Sequence, residues 1–344
     1  MKNYLPLLQN ILPGALILAV LGLYALGGAP LSTGEMVLLQ RASAPLEELT
    51  ESRYSPLYLL ILHLWSTPLQ HPFWLRLPGV LAALAALVLS ERVMRHLGGV
   101  HATPGAALLL GAAPFFIAQA RLVSPAPLAL VALLACFLCF VEFVRSGDLK
   151  WLAGWIVSIL LALGLHAGMI YVALIHCGVM LAYRHRYRHR QWAWWVLQIP
   201  LLGFFYLIFG DIVQHFFTAR LSAAVPGSAL LMDVAYLFGF LATLLPPPPA
   251  LAGAALFAVL LLSGVWACKD WRKDARHGLL VLSFVVPFLL WVGPLGHASY
   301  GLAALPFLLS LVSMGIRLYS RWLRQLLWSA VAVSYLWGYW HLYK

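Results

Sequence analysis

Four carboxylates fall within seventeen residues near the start of the chain: Glu35, Glu47, Glu48 and Glu51. Arg53-Tyr54-Ser55-Pro56-Leu57-Tyr58 follows, then an apolar run to Trp65, then Leu75-Arg76-Leu77-Pro78. Carboxylates can act as general bases, and guanidinium groups can bind anions such as phosphate. A carboxylate can take the proton of an attacking hydroxyl, which general-base catalysis rewards by about 10²–10⁴-fold. It can also stabilise an oxocarbenium-like transition state. A leaving phosphate needs cationic donors, and Arg offers the matching fork. Glu35 and Glu51 are the candidate bases, whereas Glu47 and Glu48 read as solvated charges on a proline-initiated helix. Arg53, Arg76 and Arg121 are the candidates for the phosphate. His166 and His297 could hold an anion or hydroxyl groups, and Tyr300 could stack on or hydrogen-bond a substrate. Each has a plainer reading: a carboxylate at a helix start after Ser32-Thr33, arginines snorkelling to headgroups, histidines at helix ends.

The elements that must position these residues follow from composition. Of 344 residues, 63% are hydrophobic and 10% charged, with mean hydropathy +0.89. A soluble domain carries about 25% charged residues. The bilayer is therefore the expected solvent, and the fold class is an all-α, polytopic membrane protein. Spanning helices are expected at about 6–27, 74–94, 104–120, 125–144, 151–166, 167–183, 192–210, 250–267, 278–294, 301–317 and 325–342, eleven in all within one transmembrane domain, 1–344. The pair 151–166 and 167–183 forms a hairpin with His166 at its tip. The apolar run from Ile11 to Leu26 reads as a retained first helix rather than a cleaved signal peptide.

The net charge of +11 sits in short clusters between apolar runs, so it reports topology rather than nucleic-acid binding. With a cytoplasmic N-terminus, sixteen of the 22 basic residues lie inside and six outside. The outer six are Arg41, Arg53, Arg76, Arg121, Arg220 and Lys344. The tract 183–190, rich in Arg and His, then reads as an inner anchor that attracts anionic lipid. Two long loops, about 28–73 and 211–249, face outward, and function concentrates on such loops. The segment 226–249 reads as an interfacial helix stopped by Pro246–Pro249. Pro56–Trp65 is too short to span and lies along the surface, Tyr58 and Trp65 at headgroup level. Cys136 and Cys139 form a CxxC inside an apolar run, which reads as buried thiols.

Several segments, taken in order, resemble the GT-C superfamily, in its bacterial dolichyl-phosphate-mannose-protein-mannosyltransferase-like branch. Tyr54-Ser55-Pro56-Leu57-Tyr58 resembles that family's His-Pro-Pro-Leu-Tyr run, and Leu75-Arg76-Leu77-Pro78 its entry into helix two. Ala113-Pro-Phe-Phe-Ile-Ala-Gln-Ala-Arg121, Gly164-Leu-His166 and His297-Ala-Ser-Tyr300 through Leu305-Pro306 resemble three later segments. The likeness covers about residues 5–320. It implies a membrane glycosyltransferase with an extracytoplasmic active face, a polyprenyl-phosphate sugar donor and a lipid, glycan or protein acceptor. It implies a multi-pass protein of the bacterial inner membrane. No cofactor is expected, a divalent cation being left open, and no metal-ligand residues are assigned.

The departures are specific. The family's Asp-Glu pair is Gly34-Glu35 here, its His is Tyr54, and its late Arg is His297. The family's Asp is the expected base. Its replacement by Gly34 admits an alternative, a catalytically silent GT-C-like subunit that binds lipid or a partner protein. A transporter is disfavoured, because almost no charge falls mid-span.

Overall fold

The computed structural model describes residues 5–45, 55–98, 103–182, 191–220, 243, 249–268, 275–292 and 298–343. The described residues form helices and connecting turns. In chain order the helices are α1 (Leu5–Leu23), α2 (Thr33–Ala42), α3 (Pro56–Ser66), α4 (Pro72–Gly98), α5 (Thr103–Gly111), α6 (Pro114–Ala120), α7 (Ala126–Ser146), α8 (Leu149–Leu165), α9 (Ile170–Ala182), α10 (Gln191–Arg220), α11 (Pro249–Ala267), α12 (Ala275–Val292), α13 (Ala298–Arg317) and α14 (Arg321–Tyr343). A single 3-10 turn, Ala167–Met169, joins α8 to α9.

The surface states the solvent. Leu207 is 85% exposed and Trp192 71%, and long apolar side chains are exposed along α1, α10 and α14. Such a surface belongs in hydrocarbon. Three described helices are long and apolar enough to cross a bilayer: Pro72–Leu97, Ala126–Ser146 and Ser299–Arg317. Shorter apolar helices stand beside them, among them Leu149–Leu165 and Gly253–Ala267.

Helix α13 is the core of the bundle, its side chains from Ser299 to Ser313 buried against α5, α7, α11 and α12. Small residues set the closest crossings. A Cβ on Gly264 would stand 2.0 Å from the Leu311 carbonyl oxygen, and one on Gly315 would stand 2.1 Å from that of Leu260. Hence α11 and α13 touch backbone to backbone, as membrane helices do when packing rather than water drives association. Glycines Gly14 and Gly111 bring α1 and α5 together in the same way.

Three boundaries differ most from the expected spans. Helix α10 runs to Arg220 rather than ending near 210, so the first part of the expected outer loop 211–249 is helical. The stretch expected as one helix, 104–120, is broken into α5 and α6 at Ala112–Ala113, because Pro114 cannot donate to the helical ladder. The Tyr339 hydroxyl donates to the Ala112 carbonyl, so the break leaves that group bonded. Helix α1 ends at Leu23 rather than near 27. Its chain turns at once through Ala25, at φ 50, the one described non-glycine residue in the left-handed region.

The bundle has two dissimilar ends. One carries paired charges: Glu91 with Arg95 at 3.1 Å and Asn10 at 3.4 Å, Glu142 with Arg145 at 2.8 Å and His96 at 3.2 Å. The other carries α2, α3 and the turns after α1, α6 and α8. The candidate residues gather there.

Candidate functional site

Helix α2 begins in a capping box. The Ser32 side chain accepts from the Glu35 N–H at 3.3 Å, and the Ser32 N–H donates to Glu35 Oε2 at 2.8 Å. The box aims the Glu35 carboxylate inward, where it is 3% exposed. Arg76, near the start of α4, meets it edge-on. Its Nε donates to Oε1 at 2.8 Å and its Nη2 to Oε2 at 2.9 Å. The Val123 N–H, from the turn after α6, donates to Oε1 at 3.0 Å.

The remaining Arg76 donors are also engaged. Nη1 donates to the Leu26 and Ala29 carbonyls and Nη2 to that of Pro30, each at 3.0 Å. A guanidinium has five N–H groups, and all five are in use. Glu35 accepts four bonds. Burial acts to raise its pKa, but the bonds from Arg76, Ser32 and Val123 and the Arg76 charge outweigh it and hold the carboxyl at about 2. Such a carboxylate is a weak base without a spare acceptor direction. Such a guanidinium has nothing left for a phosphate. The pair joins four parts of the chain: the turn after α1, the start of α2, the start of α4 and the turn after α6. Beside it, the cleft lined by Tyr58, Leu75, Pro78 and Ser124 holds about 10 Å³, room for one water at most.

The surface helix α3 is clasped on both sides. The His63 Nδ1–H donates to the Ala42 carbonyl at 2.6 Å. Trp65 and Trp74 stack at 4.4 Å, and each indole N–H donates to the other's carbonyl, at 2.8 and 2.9 Å. Tyr58 is buried, and burial and the Glu35 charge both push its hydroxyl pKa up. Leu57 packs on Gly164 of α8. Helix α3 therefore links the Glu35–Arg76 pair to the α8–α9 tip.

That tip holds His166, half-buried in extended backbone, with its ring edge-on to Tyr300 at 5.3 Å. The fold thus brings together two residues that the sequence singled out separately. Sequence reading missed two neighbours. The Tyr300 hydroxyl lies where a Cβ on Gly168 would be, 1.8 Å from that position, so only glycine admits it. The Tyr171 hydroxyl is buried beside Tyr300, without a partner among the described residues.

Arg121, half-exposed at the end of α6, donates from Nη2 to the Tyr24 carbonyl at 3.0 Å. Its guanidinium stands 4.6 Å from the centre of the Tyr343 ring. Glu51, Arg53, Tyr54 and His297 lie outside the described residues, as do Glu47, Glu48, most of the segment 226–249 and the tract 183–190.

No family model matches this chain. No curated protein matches it either. Among solved structures it is similar in fold to an oligosaccharyltransferase from Archaeoglobus fulgidus, in the apo form, with 12% identity and a TM-score of 0.59. The match covers 92% of this chain and 51% of that one, so the chain spans about half the length of that enzyme. The likeness is one of fold.

Proposed function

We propose that this chain is a multi-pass membrane glycosyltransferase that takes a sugar from a polyprenyl-phosphate donor and passes it to a lipid, glycan or protein acceptor outside the cytoplasm. The reading includes eleven spans, a cytoplasmic N-terminus and residence in a bacterial inner membrane. One observation carries it. In a GT-C fold, the buried Glu35–Arg76 pair pins the first loop to three helix ends, and a loop braced so heavily is one whose position matters.

In this reading Glu35 and Arg76 are positioning residues. The base is Glu51, which takes the proton of the acceptor hydroxyl as that oxygen bonds to the anomeric carbon. The bond from that carbon to the phosphate oxygen breaks, and polyprenyl phosphate leaves with the electron pair beside Arg53. Tyr54, His166, His297 and Tyr300 orient the sugar and its phosphate. No cofactor is invoked for these steps.

The test is transfer in nanodiscs from a panel of radiolabelled polyprenyl-phosphate sugars into a membrane extract. Glu51→Gln should lower turnover about 10²–10⁴-fold with the thermal midpoint unchanged. A variant that keeps the wild-type rate removes Glu51 as base.

A second reading has its own observation. Gly34 stands where the family that the first loop resembles carries Asp, and the neighbouring carboxylate is already engaged. On that reading the chain is a silent subunit that binds lipid or a partner protein. Wild-type protein that turns over none of the panel would favour it.

A further inference from the structure

Away from the braced loop, α1, α5 and α14 enclose an apolar groove of about 550 Å³. Ile17, Leu21, Leu108, Ala112, Val331 and Ala332 are among the side chains that line it. It runs along α14 from Trp328 to Tyr343, about 22 Å at 1.5 Å per residue. Exposed Leu16 and Val20 of α1 and Val333 and Leu336 of α14 flank it, so it opens toward the lipid rather than into the bundle.

The two ends differ. At one end Trp328 closes on Gly105. At the other, Tyr343 donates to the Leu21 carbonyl at 2.5 Å, and its ring lies under the Arg121 guanidinium. The groove therefore ends beneath the half-exposed Arg121 cation.

We infer that this groove is a binding site for one acyl chain of an anionic phospholipid, whose phosphate is held by Arg121. Size favours an acyl chain over an isoprenoid carrier. At about 30 Å³ for each small group, the groove takes roughly eighteen, which suits one acyl chain. A polyprenyl carrier several times larger would leave most of its length outside. Charge favours an anionic head, because a guanidinium fork bonds phosphate oxygens in pairs. The site is separate from the donor site proposed above and stands whether or not the chain transfers sugar.

The experiment is native mass spectrometry of the full chain released from nanodiscs of dioleoyl phosphatidylglycerol and dioleoyl phosphatidylcholine in equal amounts. Wild type should retain one phosphatidylglycerol after detergent washing. Ala332→Trp fills the groove from an exposed position and should abolish retention. Arg121→Gln should weaken retention about tenfold and erase the preference for phosphatidylglycerol. Val196→Trp makes the same kind of change on an exposed face of α10 and should retain lipid as wild type does. Equal retention by wild type and Ala332→Trp would overturn the proposal, as would equal retention of the two lipids by wild type. So would displacement of the bound lipid by added polyprenyl phosphate at equimolar ratio, which would make the groove the donor's.

Discussion

Arg76 and Glu35, 41 residues apart, face each other through two parallel N–H···O bonds of 2.8 and 2.9 Å, with every remaining donor and acceptor of both groups also bonded. A buried pair repays its desolvation only when it is satisfied this completely. The removal of one partner leaves a charge with no water and no counterion. Glu35→Gln or Arg76→Met should each cost about 3–5 kcal/mol. Thermal unfolding in detergent, followed by tryptophan fluorescence, measures the loss. The double variant should recover part of it, since neither charge is then stranded. A double variant as unstable as the sum of the singles would mean the two do not act as a pair.

The same pair sets an acid limit. A Glu carboxyl ordinarily titrates near 4.5, and in the fold Glu35 is held at about 2. The folded value lies below the unfolded one, so the stabilisation is whole above about pH 4.5 and drains as pH falls toward 2. The unfolding midpoint of wild type should fall along that window, and the gap between wild type and Glu35→Gln should close with it. Midpoint curves that run parallel from neutral pH into acid would refute this.

Gly34 is exposed at the second position of α2, and a Cβ there would meet nothing within 4 Å. Gly34→Asp should therefore fold, and should gain about 0.5–1 kcal/mol from helix propensity and the favourable charge at a helix start. It places a carboxylate one residue before the pinned Glu35. If a base at that point is what the chain lacks, the variant should transfer sugar faster than wild type in the nanodisc assay. An unchanged rate would leave the loop 46–54 as the source of the base.

At the α8–α9 tip, Gly168→Ala drives a methyl into the Tyr300 ring and hydroxyl, at 2.9 to 1.8 Å. The expected cost is about 1–3 kcal/mol of overpacking. Tyr300→Leu in the same chain should return part of it. A double-mutant cycle on thermal midpoints decides the point, and additive costs would show that the two residues do not press on each other.

Tyr339 holds the carbonyl left free where α5 gives way to α6. In lipid that group has no water to turn to. Tyr339→Phe should cost about 1–3 kcal/mol and speed amide exchange at Ala112–Ile117. Unaltered exchange there would show that the break does not depend on this bond.

Hydropathy alone determined that this chain lives in a bilayer as packed helices, because the cost of an apolar or charged residue in lipid is local and adds along the chain. The helix at Pro72–Gly98, the hairpin with His166 at its tip and the surface helix Pro56–Ser66 were all legible in this way. Pro114 carried the signal for the α5–α6 break, although a run of apolar residues on either side hides it. The chemistry types were legible too: Glu35, Arg76, Arg121, His166 and Tyr300 stand out because polar groups are rare here. Their partners were not. Which face of a helix points inward, and which distant carbonyl it meets, depends on rotation and depth in the bundle, and neither quantity is written in any one segment. Tertiary structure therefore decided that Glu35 and Arg76 are used up on each other, that Gly168 exists to admit Tyr300, and that Arg121 ends above Tyr343 at the head of an apolar groove.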